Sequence, residues 1–295
     1  MDATTKFETF QTFQTFQNNR LIIANRLATI NGNSNGDFDE DGFPQGYGKN
    51  NQSVLIPAFL SAYTGENPEN ISLGALRSTP LPNWSIQYTG LLNIEFFKER
   101  FKRFSLGHSY RSSYTLNNFK SNLEFNSSNN KITDLAGNFL NETLYTNINL
   151  VEQFNPLLKL DMELKNSVRV VLEMKKDRAL SLSLDNNLLT EVSGMDYSIG
   201  LGYRIKDLKF RNSFGGKQSV SKGDLNIKAD LSLRDNITII RNLNIDDNKV
   251  TAGQSIWSLK FSADYALSKS FNAVFFYDHL FSPLICLLIV FYLLR

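Results

Sequence analysis

From Trp84 onward, apolar and polar residues alternate with a period of two, the pattern of β-strands that carry one apolar and one polar face. Leu158, Leu160, Met162 and Leu164 alternate with Lys159, Asp161, Glu163 and Lys165. After a turn at Asn166 the alternation resumes with Val168, Val170, Leu172 and Met174. The same beat runs from Tyr197 to Ile205, from Leu225 to Leu233, from Trp257 to Leu267 and from Phe271 to Tyr277. Asp185-Asn186-Asn187, Gly215-Gly216 and Asp246-Asp247-Asn248 are turn clusters that punctuate these runs. Upstream, Pro80 and Pro82 end whatever precedes them, because proline lacks an amide donor and pushes its neighbour out of helical geometry. Trp84, Ile86 and Tyr88 then enter as a strand, Leu91 to Phe101 is amphipathic enough for a short helix, and Leu106, Tyr110 and Tyr114 share a side of a second extended segment. The pattern predicts roughly ten antiparallel strands over 84–281.

Residues 1–83 follow a different rhythm and predict a helical and loop segment. Phe7, Phe10, Phe13 and Phe16 recur in a TFQ repeat, and Leu21, Ile22, Leu27 and Ala28 continue the apolar side of a helix over 4–30. Such a stripe packs one face on a neighbour, and the segment has few Lys or Arg with which to lie on anionic headgroups. Val54 to Tyr63 (VLIPAFLSAY) is a compact apolar segment interrupted by Pro57, too short to cross a bilayer as a helix. It is expected to pack inside something, as a plug or a lumen-lining element. Between the two lies a Gly/Asn/Asp loop, 31–51, in which Asp37, Asp39, Asp41 and Gly42 reproduce the first half of a calcium loop. Gly48 stands where such a loop needs its bidentate glutamate. Calcium on Asp37, Asp39 and Asp41 is thus the one cofactor candidate, set against a solvated turn of short polar residues.

Composition narrows the classes. With 42% hydrophobic and 20% charged residues, the 295-residue chain is too polar for a helical membrane protein, while a transmembrane barrel has this ordinary composition. A net charge of +2 makes no case for nucleic acid. The single Cys286 excludes an intrachain disulfide framework. His108 and His279 are far apart and in no metal-ligand spacing, no phosphate loop or G-x-S-x-G elbow is present, and the carboxylates alternate along strands without an isolated pair. No catalytic constellation emerges, and the chain is not expected to be an enzyme.

Alternation alone allows a soluble sandwich, with an apolar core face and a polar solvent face, or a membrane barrel, with an apolar lipid face and a polar lumen. Three features favour the barrel. Several runs reach the nine to eleven residues that a tilted transmembrane strand requires. The polar positions carry both signs in close rows, as in Lys159/Asp161/Glu163/Lys165. Trp84, Tyr88, Tyr203, Trp257, Tyr265 and Tyr277 sit toward strand ends, as interfacial aromatics do.

The runs VLIPAFLSAYTG, PLPNW, SLGHSYRSSYTLNNFKSNLEF, EQFNPLL, KNSVRVVLEMKKDRALSLSLDNNLLTEV and IGLGYRIKD, in that order, resemble the C-terminal part of the SprA/Sov family. These gliding-motility cell-surface proteins are the outer-membrane translocons of the type IX secretion system in Bacteroidetes. The resemblance covers roughly residues 10–281 and implies one very large single-chain barrel that passes folded cargo through a gated lumen without covalent chemistry. It implies secreted cargo proteins, other components of the secretion system and outer-membrane lipid as partners, and the cell outer membrane as the location. Family members are many times longer, so the chain is expected to be their last fraction; either Met1 is an internal start of a longer chain, or the protein is not exported. MDATTKFETF accordingly has no basic region followed by an apolar core and is not a signal peptide.

The end departs from the family pattern. Where members carry another alternating strand, PLICLLIVFYLLR is apolar on every side, and twelve residues from Pro283 to Leu294 are too few for a transmembrane helix. A frameshift or truncation is the expected cause. The fold expectation is therefore an all-β-dominated chain: antiparallel strands of an outer-membrane β-barrel (84–281), forming part of its wall, preceded by a helical and loop segment (1–83) and followed by an aberrant tail (282–295). Two rival readings are a small autonomous outer-membrane porin or receptor and a soluble β-rich calcium-binding adhesin. A decayed gene fragment without present function is a third.

Overall fold

The computed structural model describes residues 3–32, 36–77, 79–129, 131–214, 217–245, 247–268 and 271–282. Residues 283–295 of the tail expected over 282–295, and the Gly215-Gly216 turn, lie outside the described residues. Helices α1 (Ala3–Ile30) and α2 (Gln52–Thr64) come first. They are followed by β1 (Trp84–Tyr88), a single 3-10 turn (Gly90–Asn93), the short helix α3 (Glu95–Arg100) and a run of strands. These are β2 (Phe101–Ser121), β3 (Thr143–Leu164), β4 (Val168–Ser183), β5 (Leu188–Phe214), β6 (Lys217–Asn242), β7 (Asp247–Ser268) and β8 (Phe271–Phe281). All eight strands form one antiparallel sheet in sequence order, β1 through β8, and the sheet is open, with β1 at one edge and β8 at the other.

The chain is thus all-β dominated, as the alternation predicts. It has eight strands among the described residues rather than about ten, because the strands run longer than the alternating stretches that announce them. β5 has 27 residues and β6 has 26. Their extensions toward the helices carry charged residues in the apolar phase, which hides them from a search for alternation.

A strand turns successive side chains to opposite faces, so residues paired in register share a face along the whole sheet. On one face lie Leu182 of β4, Leu189 of β5 and Arg241 of β6, opposite one another. Two residues further along, Leu180, Glu191 and Ile239 form the next rung. Here the helices dock. Phe13, Phe16 and Ile23 of α1 and Leu55, Phe59 and Leu60 of α2 bury themselves against Ile148, Leu150, Leu180, Leu182 and Leu189. The stripe expected on α1 is therefore a packing stripe, although Phe10 remains exposed.

Helix α2 runs straight through Pro57. Asn51 caps its start by accepting the Ser53 amide, and Gly65, in left-handed geometry at φ 75°, ends it by donating its N–H to the Ser61 carbonyl. The helix forgoes one backbone bond at Pro57 and offsets it by burying nearly its whole length. The two helices lie antiparallel: Phe16 meets Phe59 edge-on with ring centroids 6.3 Å apart, Asn19 donates to Ser61 Oγ at 2.8 Å, and Ala24 and Ala28 cluster with Val54 and Tyr47. Gly46 is held at φ 86°, and a Cβ on it would lie 2.2 Å from the Phe139 ring, so only glycine fits where the 31–51 loop meets the β2–β3 connection.

Beneath the helices, Arg241 and Glu191 form an ion pair of 2.6 Å with side chains 3% and 1% exposed. The Arg241 guanidinium also sits 5.0 Å over the Phe13 ring. Removing one partner of a buried pair leaves an uncompensated charge, so Glu191→Ala is expected to cost about 3–5 kcal/mol of folding stability. Leu182→Ala is expected to cost about 2–5 kcal/mol through the cavity it leaves. Denaturant unfolding of both variants checks this: an effect of Glu191→Ala as small as that of a surface change would show that the pair is wet.

A candidate membrane-facing surface

Beyond the helices the same sheet face changes character. The next rungs mix polar and apolar residues: Glu152, Arg178, Ser193 and Ile237, then Phe154, Lys176, Met195, Asp235 and Ser255. Tyr110 donates its hydroxyl to Glu152 Oε1 at 2.8 Å, Arg178 Nε donates to Glu152 Oε2 at 3.0 Å, and the Arg178 guanidinium lies 5.6 Å from the Tyr63 ring. Burial under the helices pushes the Tyr63 phenol well above the usual tyrosine range, against the pull of Arg241.

Past this belt the face is apolar and open. Its rungs read Met174–Tyr197–Leu233–Trp257–Phe281, then Leu172–Ile199–Leu231–Leu259–His279, then Val170–Leu201–Ala229–Phe261–Tyr277, then Val168–Tyr203–Ile227–Ala263–Phe275. Leu158, Leu160 and Met162 extend the rungs onto β3, Phe104 and Leu106 onto β2, and Ile86 and Tyr88 onto β1. Tyr197, Ile199, Leu201 and Tyr203 are 44, 47, 50 and 46% exposed. Eight strands at about 4.8 Å spacing, over roughly 25 Å of strand, give a patch on the order of 900 Å². Soluble monomers rarely expose more than a few hundred Å² of contiguous apolar surface.

Aromatics mark the margins. Trp257 and Tyr265 stand eight residues apart on β7, roughly 27 Å along the strand, or about 21 Å across a strand tilted by about 40°. Of the aromatics singled out in the sequence, all six lie on this face; Trp257 borders the polar belt, Tyr203 and Tyr265 the opposite margin, and Tyr277 sits within the band. His279 stacks on Tyr277 with ring centroids 6.3 Å apart, and His108 Nδ1 donates to the Leu157 carbonyl across 2.7 Å, so the two histidines are on separate strands and serve separate contacts.

The opposite face of the same residues is polar and self-paired. Asp161 bridges Arg103 and Arg169, each at 2.9 Å. Glu173 lies between Lys159 at 3.7 Å and Lys175 at 3.8 Å, and Arg234 meets Asp177 at 3.2 Å. Asp230, Lys260 and Asp278 oppose one another in register across β6, β7 and β8. A Cβ on Gly194 would lie 2.8 Å from Asp177 Oδ1 and from Asn236 Oδ1, so this glycine leaves room for the Asp177–Arg234 contact. Exposed pairs of this kind add little stability; they keep a charged surface neutral.

The calcium candidates do not come together. Asp39 Oδ1 accepts the Phe43 amide at 2.7 Å, and Asp41 pairs with Lys49 at 2.7 Å, whose hydrogen bond holds the Asp41 carboxyl below its ordinary range. Phe38 and Pro44 bridge as in a small hairpin, with Asp37 contributing its backbone carbonyl to Gln45. Among the described residues no group of three or more His, Cys, Asp or Glu side chains is placed to hold a metal ion. A polar cleft of about 540 Å³ opens between the start of α2 and the β2–β3 connection. Its asparagines are occupied in stitching that connection: Asn138 accepts from Gly48, Asn141 donates to Asn51, and Asn122 donates to the Asn141 carbonyl.

The residues that sequence reasoning missed are the charges in the apolar phase, Glu152, Arg178, Glu191 and Arg241. Their signal was present, since each breaks an otherwise apolar file, but a break in alternation reads first as the end of a strand. No helix among the described residues is long and apolar enough to cross a membrane. No protein-family model matches the chain, and no curated protein matches it significantly. Calcium is expected to leave the melting temperature unchanged, because its nearest ligands are already committed to Lys49 and to the turn. A calcium-dependent rise that Asp39→Asn abolishes would show that the loop rearranges around the ion.

Proposed function

We propose that the sheet is a section of the wall of an outer-membrane β-barrel, its apolar face toward lipid and its ion-paired face toward water. One observation carries this reading: a contiguous apolar band crosses all eight strands, open except on β2, where Phe97 of α3 packs on the buried Phe104, and bounded by a mixed polar belt, on the face opposite the charges. A soluble sandwich would have to cover that band with a second sheet, and among the described residues all the named strands join one sheet instead. The long strands fit as well, since each exceeds the band at the end where the helices dock.

The resemblance of residues 10–281 to the type IX secretion translocons supports a more specific role: wall strands of a protein-conducting barrel needed for secretion and gliding motility. In that role the partners are secreted cargo proteins, other components of the secretion system and outer-membrane lipid. The polar face would meet cargo by contact alone, with no bond made or broken. Eight strands enclose only a narrow barrel, and diameter grows with strand number, so a wide lumen needs further strands at the free edges of β1 and β8.

Both tryptophans of the chain, Trp84 and Trp257, lie on the apolar face and are partly exposed. In proteoliposomes, lipids brominated on their acyl chains are expected to quench most of the intrinsic fluorescence, whereas acrylamide in the water phase quenches little. Strong acrylamide quenching with none from bromolipid would overturn the wall reading. Under the same reading Leu231→Arg is expected to cost about 2–4 kcal/mol in a bilayer. Lys228→Ala, on the polar face, is expected to have almost no effect. Equal effects of the two variants on unfolding from vesicles would contradict it.

A further inference from the structure

We propose that the α1–α2 cap stands on the bilayer side of the wall, outside any lumen, and that the N-terminal end of α1 rests against the headgroup layer of the membrane. The inference rests on the reading of the apolar band as lipid-facing. Its core is the phase of β5, which pairs with β4 from Leu188 to Tyr203 without a register shift. Leu189 and Glu191, buried beneath the helices, therefore share a face with Ile199 and Leu201 in the band. A lumenal plug would dock on the other face, over Asp177, Lys175 and Glu173. On this proposal Val54 to Tyr63 is an external buttress, where the sequence led to the expectation of a plug or lumen lining.

The direction of the helices decides which part of the cap meets lipid. The start of α2 is tied to the outer loops, where Asn50 donates to Asn244 and Gln52 to the Thr143 carbonyl, while Tyr63 near its end reaches Arg178 in the polar belt. Helix α2 thus descends toward the band, and the antiparallel α1 points its N-terminus the same way. From Glu191 to Tyr197 the strand advances roughly 20 Å, or about 15 Å along the normal at a tilt of about 40°. The polar layer of one leaflet is about 5–8 Å thick. The body of the cap therefore clears the headgroups and its lower end approaches them. Phe10 is exposed at that end, and the side chains exposed behind it, Gln11, Gln14, Thr15 and Asn18, are uncharged. An aromatic ring amid neutral amides suits the interfacial layer.

The test uses the full chain in phosphatidylcholine vesicles with Cys286→Ser and one introduced cysteine, Phe10→Cys, Leu231→Cys or Lys228→Cys, carrying an environment-sensitive fluorophore. Nitroxides are placed on lipid headgroups or on acyl chains. Quenching of the Phe10→Cys label by headgroup nitroxide, several-fold above that of the Lys228→Cys label, is expected, together with acyl-chain quenching of the Leu231→Cys label. A quenched Leu231→Cys label beside a Phe10→Cys label that behaves like Lys228→Cys would place the cap off the membrane and overturn the proposal alone. A Leu231→Cys label untouched by acyl-chain nitroxide would remove the wall reading and the proposal with it.

Discussion

The constraint on which the molecule depends is the two-residue period of an unbroken strand. Once β4, β5 and β6 pair in continuous register, every odd position of β5 from Leu189 to Tyr203 is committed to one face. That single commitment assigns the helix-covered core, the polar belt and the open apolar band to the same side, in that order along the strands. A slip of one residue would move the band to the charged side and the ion pairs to the side of the helices, so register is specified from both faces at once.

The two halves of this face meet the cost of apolar exposure differently. At one end, α1 and α2 cover Ile148, Leu150, Leu180 and Leu182, and the Arg241–Glu191 pair closes the charges that the file includes. At the other end no described residue covers Ile199, Leu201 or Leu231, each about half exposed and so gaining on the order of 1 kcal/mol on leaving water entirely. An apolar solvent is the economical cover for so broad and regular a surface, since it needs no complementary shape. The β8 edge differs: Val274, Phe276 and Leu280 are exposed beside Asp278 on the face that is polar elsewhere.

Much of this was legible in the residues. The strands at 158–164, 168–174, 197–205, 225–233 and 257–267 were visible because both faces keep their character without interruption there, and the turn clusters lay between them. The phenylalanine stripe of α1 announced a packing face. The extensions of β3 to β6 were not legible, because Glu152, Arg178, Glu191 and Arg241 occupy apolar-phase positions and only the partner strand shows that they pair. The helix through Pro57 was hidden because local propensity disfavours it and burial overrides that preference. The acidic loop shows a different case: spacing suggests convergence of Asp37, Asp39 and Asp41, while the fold leaves them exposed and gives Asp41 to Lys49.

The central claim, that one face of the sheet meets lipid and the other water, is tested most directly by a nitroxide scan of residues 225–233 on β6, with the full chain in bilayers. Collision rates with oxygen and with a water-soluble nickel chelate would be measured at each position by power saturation. The account predicts strict alternation, with oxygen dominating at Leu225, Ile227, Ala229, Leu231 and Leu233 and the chelate at Asn226, Lys228, Asp230 and Ser232. Odd positions shielded from both reagents would mean a covered protein core, and odd positions open to the chelate would mean a surface in water; either result would contradict it.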